Sequence, residues 1–167
     1  GFVEQMLSDE ILMAQTGDMM WAANLEDVAF NSLPASMTED LKALRYLTCP
    51  NMVQSDSRNH HPGVDNRGPF FSMNPFSSRC CQHNHAMGWP YYAQNLVLAS
   101  ADGGAAILTY SDCQATLMVG SGQRVTLDEQ THYPFGEDVL ITVGGLGRKG
   151  SATFPLYLRI PAWTTDA

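Results

Sequence analysis

The chain has 167 residues, of which 44% are apolar and 16% charged. That composition can bury a core and excludes a disordered polymer. Seventeen acidic side chains face nine Lys and Arg, for a net charge of −8 with no concentrated basic patch, which excludes nucleic acid and anionic membrane as partners.

No apolar run approaches the roughly 20 residues of a membrane-spanning helix. No signal segment opens the sequence, and the chain lacks an initiator Met and starts inside a predicted helix, so it reads as an excised or incomplete piece.

In chain order, Val3, Leu7, Ile11 and Ala14 recur at three- and four-residue steps and predict one apolar helical stripe. Gly17 is placed to stop that helix and Asp18 to cap the next. Trp21, Leu25 and Val28 carry the second stripe, and Leu33–Pro34 is expected to end it. Two helices joined so tightly predict an antiparallel hairpin.

From Thr38 to Ser78 the period breaks. Residues 43–48 and 70–73 read as short strands, and residues 54–69 form a long polar segment rich in Asn, Asp, His, Gly and Pro. The polar segment Arg79–Cys80–Cys81–Gln82–His83–Asn84–His85 follows, then a short predicted helix through Trp89, Tyr92 and Ala93.

Beyond Gln94 the period becomes two. Residues 96–101 and 105–110 flank Asp102–Gly103, a two-residue hairpin signal. Further strands are predicted at 114–119, 125–129, 139–143 and 156–160, separated by turns such as Gly120–Gly122 and Tyr133–Pro134. Short strands with regular turns predict a β-sandwich or barrel. The expected divisions are 1–95, helical, and 96–167, an incomplete β-sandwich.

Cysteines stand at 49, 80, 81 and 113. Adjacent residues lie about 3.8 Å apart at Cα, too close for an unstrained bridge between Cys80 and Cys81. Bridges to Cys49 or Cys113 would make a disulfide-stabilised module, a reading that predicts no free thiols. A thiol or thiolate pair is the better reading, because a thiolate is a nucleophile and a soft zinc ligand. The alternative, two cysteines packed as small apolar groups, fits poorly with the polar residues around them. Cys49 and Cys113 lack that setting and read as buried thiols.

His83 and His85 are candidate zinc ligands or sugar-hydroxyl contacts, or a hydrogen-bonded loop pair. His60–His61–Pro62 lies in a polar loop without a partner at a recognised spacing, and reads as solvent-exposed. The glycine-rich residues 144–151 fail the spacing of a phosphate loop and read as a hairpin loop. Trp21, Trp89, Tyr91, Tyr92 and Trp163 are candidates for stacking on sugar rings, with Trp21 assigned to the core.

Taken together, these motifs resemble glycoside hydrolase family 127, the β-L-arabinofuranosidase-like enzymes, over essentially the whole chain. The resemblance rests on Gly1–Leu7, Trp21–Glu26, Phe30–Pro34, Leu44–Thr48, Met73–Pro75, Arg79–Cys81, Thr131–Phe135 and Leu158–Trp163. The double cysteine and the closing Leu–Arg–Ile–Pro–Ala–Trp are its most specific parts.

The resemblance implies an α+β multidomain fragment: the C-terminal helices of an (α/α)6 toroid followed by an antiparallel β-sandwich portion. It implies a retaining glycosidase acting on a plant cell-wall type glycan or oligosaccharide. Cys80 would attack the anomeric carbon, and Cys80 and Cys81 would both ligand Zn2+. A Glu-x-Cys motif would complete the metal site and a separate glutamate would act as acid/base; the family places both before residue 1. His83–Asn84–His85 departs from the proline-containing segment common in arabinofuranosidase members, which points to a different branch. The isolated chain is expected to lack turnover. A non-catalytic carbohydrate-binding protein with structural zinc is the alternative.

Overall fold

The computed structural model describes residues 1–42, 44–45, 71–72, 79–147 and 150–164. Cys49, His60, His61 and the predicted 54–69 segment lie outside the described residues, as do Arg148 and Lys149.

The chain opens with α1 (Phe2–Thr16) and α2 (Met19–Asp27). Gly17 adopts a left-handed conformation at φ 67° and its N–H donates to the Met13 carbonyl at 2.9 Å, closing α1. Asp18 caps α2 by accepting from the Met20 N–H at 2.9 Å.

The expected phase of α1 is corrected by the structure. Val3 is buried as expected, but Ile11 is 47% exposed and Ala14 is exposed. The buried face is instead Val3, Met6, Glu10 and Met13, with Asp9 beside it. Two acids on the inward face break the apolar pattern, so counting hydrophobic residues rotates the stripe. On α2, Leu25 is buried, while Trp21 is only partly buried against the core.

The second helical run also does not end at Leu33–Pro34. It widens into a π turn (Val28–Ser32), where the Leu33 N–H reaches back to the Val28 carbonyl, and continues as α3 (Leu33–Ala35). A proline lacks an N–H and crowds the carbonyl four residues back; the widened turn just before Pro34 accommodates it.

Two short strands, β1 (Leu44–Arg45) and β2 (Phe71–Ser72), pair antiparallel. Two helices follow, α4 (Arg79–Ala86) and α5 (Gly88–Gln94). The segment read as a polar cysteine loop is therefore a helix, polar because much of it faces solvent. At Gly88 a Cβ would stand 2.7 Å from Leu33 Cδ2, so glycine is what lets α5 start against α3.

The β portion contains β3 (Val97–Ala99), β4 (Ala105–Ile107), β5 (Cys113–Val119), β6 (Gln123–Thr131), β7 (Val139–Gly144) and β8 (Leu156–Leu158). One sheet has the order β3-β4-β8 and the other β5-β6-β7. The second is antiparallel throughout, as is β3–β4, whereas β8 returns parallel to β4. The expected two-residue hairpin at Asp102–Gly103 is a three-residue loop. Ser100 N–H bonds the Gly104 carbonyl, and Gly103, at φ 79°, supplies the left-handed turn position.

One core joins the helices to the start of the β portion, with Met6, Met13, Leu25 and Leu33 packed near Tyr92, Leu96 and Leu108. A second lies among Ala105, Ile107, Tyr110 and Leu127, covered by residues of both sheets such as Leu156 and Ile141.

A buried ion pair ties the two portions together. Arg159, 4% exposed, bonds the Glu26 carboxylate of α2 through Nη2, and its Nε donates to the Leu108 carbonyl at 2.6 Å. The Trp163 indole N–H donates to the other Glu26 oxygen at 3.1 Å.

Candidate functional site

Cys80 and Cys81 occupy the first turn of α4, so two sulfurs leave the backbone at consecutive positions. They are free thiols, Cys80 exposed and Cys81 partly buried. Their Sγ atoms lie 3.8 Å apart. Burial raises the Cys81 pKa above its ordinary value, and the hydrogen bond and charge of Cys80 push it the same way. The positive chain N-terminus and a backbone hydrogen bond favour the thiolate, but burial and Cys80 outweigh them at Cys81.

Helical geometry sorts the other candidates. Four residues on from Cys81, His85 shares its side of α4, whereas His83, two residues on, points elsewhere. Cys81, Asn84 and His85 line a cavity of about 180 Å³, closed by Phe2 and Val3 at the start of α1, with Leu33, Ser36 and Leu44. His85 Nε2 lies 3.3 Å from the Leu33 carbonyl, which fixes the ring against α3. Asn84 donates its amide to the Cys80 carbonyl at 2.9 Å. His83 is exposed and outside this cavity, and so is the Cys80 side chain. The structure thus brings Cys81 and His85 to one cavity and leaves the Cys80 and His83 side chains exposed outside it.

Sequence reading missed the α1 and α3 walls of this cavity. The only local signal was the i, i+4 spacing of Cys81 and His85, which matters once the segment is known to be helical. Among the aromatic candidates, Trp89 is 46% exposed and packs at 6.0 Å from Phe30, outside this cavity. Trp163 stacks on Tyr133 at 6.3 Å in a separate cavity of about 730 Å³ in the β portion. Cys113, read as buried, is half-buried, with its thiol 3.9 Å from the Glu129 carboxylate.

Two sulfurs bound at about 2.3 Å to a tetrahedral zinc ion stand about 3.8 Å apart, which the Cys80–Cys81 separation matches. The pair therefore fits as two corners of such a site. Among the described residues no group of three or more His, Cys, Asp and Glu converges to complete it.

Comparison with known proteins gives a consistent picture. The profile of the β-L-arabinofuranosidase GH127 catalytic domain matches residues 1–94, and that of the GH127 middle domain matches residues 105–167. A solved structure described as a glycoside hydrolase superposes with a TM-score of 0.73 at 22% identity, covering 97% of this chain and 25% of that one. A GH127 β-L-arabinofuranosidase from Geobacillus stearothermophilus T6 superposes with a TM-score of 0.69 at 21% identity, covering 96% of this chain and 24% of that one.

No curated protein matches the sequence. The chain spans about a quarter of the length of these solved structures, and the likeness identifies an α+β stretch, toroid helices followed by β-sandwich. With more than half of its residues matched by the catalytic-domain profile, the chain belongs to glycoside hydrolase family 127.

Proposed function

We propose that this chain is part of a retaining glycoside hydrolase that cleaves β-L-arabinofuranosyl or related bonds, with Cys80 as nucleophile and Cys81 as a metal ligand. The observation that carries the reading is the pair of free sulfurs 3.8 Å apart in the first turn of α4.

Exposure divides the roles. Cys80 is the sulfur an incoming sugar can reach, while Cys81 is held against the cavity wall. Cys80 and Cys81 would both hold Zn2+, and a bound zinc keeps thiols deprotonated at neutral pH.

In the reaction, the Cys80 sulfur forms a bond to the anomeric carbon as the glycosidic C–O bond breaks. The leaving oxygen takes a proton from a general acid, which the resemblance assigns to a glutamate outside this chain. Water then displaces the sulfur from the same carbon, giving its proton to the same glutamate, now a base, and restoring the Cys80 thiolate, so two inversions retain configuration. Fixed by the Leu33 carbonyl, His85 is the better placed histidine to meet a sugar hydroxyl. His83 would contact substrate only beyond the cavity rim. The substrate class is a plant cell-wall type glycan or oligosaccharide, and the helical and β portions divide at residue 95.

The test uses the full-length protein. Cys80→Ser should abolish hydrolysis of an aryl β-L-arabinofuranoside, and elemental analysis should find zinc that Cys81→Ala removes. Undiminished turnover by Cys80→Ser would overturn the assignment.

A further inference from the structure

Helix α1 carries two neighbouring acids on its buried face. Asp9 is 3% exposed and Glu10 1% exposed. Each is met by one asparagine amide from another segment. Asn24 of α2 donates to Asp9 Oδ2 at 2.8 Å, and Asn95, just after α5, donates to Glu10 Oε2 at 2.7 Å. The other Glu10 oxygen is buried without a hydrogen-bond partner.

We propose that Glu10 is a pH-sensitive clamp: protonated, it holds α1 against the end of α5, and its ionisation loosens that contact. Neither acid has a cation for a partner among the described residues. Helix α1 packs against α2, the π turn, α4 and α5. Among the described side chains of those elements, the Cys80 and Cys81 thiols face each other, Tyr91 is partly buried at the shared core, and the other ionisable groups are turned to other partners or to solvent. Glu26 meets Arg159, Asp27 meets the Asn31 amide, His85 meets the Leu33 carbonyl and Tyr92 meets the Tyr110 carbonyl, while His83 is exposed.

The groups that act on the Glu10 charge are the hydrogen-bonded Asn95 amide, the nearby Gln94 amide and the negative charge of Asp9. A buried carboxylate so placed is costly in its charged form. Burial pushes the Glu10 pKa from 4.5 up to about 7, opposed by the two amides and reinforced by Asp9.

The sign follows from linkage. An unfolded chain releases this proton near 4.5 and the folded chain near 7, so the clamp is intact at low pH and weakens as pH rises, fully lost above about 7. Such a shift corresponds to a fall in the local closing equilibrium on the order of a hundredfold. Because the first turn of α1 also walls the Cys81 cavity, the clamp would couple pH to that wall.

Glu129 is a second buried acid, likewise raised to about 7, and burial also raises the pKa of Asp9 on α1 itself, so the test must separate the three. The measurement is peptide-resolved hydrogen exchange on the full chain at pH 5 and pH 8, corrected for intrinsic exchange. It compares wild type, Glu10→Gln, Asp9→Asn and Glu129→Gln.

Protection of α1 and α5 should fall about a hundredfold from pH 5 to pH 8 in wild type, Asp9→Asn and Glu129→Gln, and fall far less in Glu10→Gln, where only Asp9 still titrates on α1. An equal fall in Glu10→Gln overturns the proposal. So does unchanged protection of α1 and α5 in wild type, a result that needs no variant to fold.

Discussion

Two motifs distinguish this sequence most sharply, and the structure uses them in opposite ways. Arg79–Cys80–Cys81 opens a helix at the surface, with two free sulfurs near each other and, among the described residues, the Cys80 thiol meeting only the Cys81 thiol. Leu158–Arg159–Ile160–Pro161–Ala162–Trp163 does the reverse. It sends a guanidinium and an indole across 133 and 137 positions of sequence to one buried carboxylate, Glu26. One motif leaves reactive atoms open and the other closes polar atoms off. A motif can therefore be distinctive because it does chemistry or because it holds the parts that position the chemistry, and burial tells the two apart.

Substitutions should separate the two by size of effect on stability. The largest belongs to the seam: Arg159→Met strands the Glu26 charge in the interior and should cost roughly 3–5 kcal/mol, read from urea unfolding. A loss below about 1 kcal/mol would mean that the pair is effectively solvated.

Next comes Gly88→Ala, whose new methyl must displace Leu33. It should cost about 1–3 kcal/mol, and a neutral result would show that α5 shifts freely against α3. Asp18→Ala removes the α2 cap and should cost about 1 kcal/mol by the same measurement. The smallest stability effect is expected at Cys80→Ser, within about 0.5 kcal/mol, although the same change should remove activity from the full-length enzyme. A large destabilisation there would blur the contrast and make Cys80 a packing residue.

The comparison also shows what a sequence discloses. Strands β5, β6 and β7 were legible because one face alternates with the other, and a period of two survives individual exceptions. The Gly17 and Asp18 caps were legible because each acts within a few residues of itself.

The phase of α1 was not. Glu10 and Asp9 sit where an apolar residue is expected, and Ile11 sits where a polar one is, so counting side chains by polarity rotates the helix. Helix α4 was missed for a related reason, since its polar residues face solvent and carry no apolar stripe. The Glu26–Arg159 joint was invisible to any local pattern, although both ends lie in segments that carry the family resemblance. At the candidate site, the sulfur pair was plain from adjacency alone. The α1 and α3 walls, and the choice of His85 over His83, required knowing that the segment is helical.

If Cys80 is a nucleophile open to a sugar, it is the thiol that a sugar-shaped electrophile should find first. The most direct test incubates the full-length protein with a haloacetamido derivative of β-L-arabinofuranose and maps the adduct by mass spectrometry. One adduct is expected, on Cys80, formed in step with loss of hydrolytic activity. An unmodified Cys80 in an enzyme that still turns over, or an adduct confined to Cys113, would contradict it.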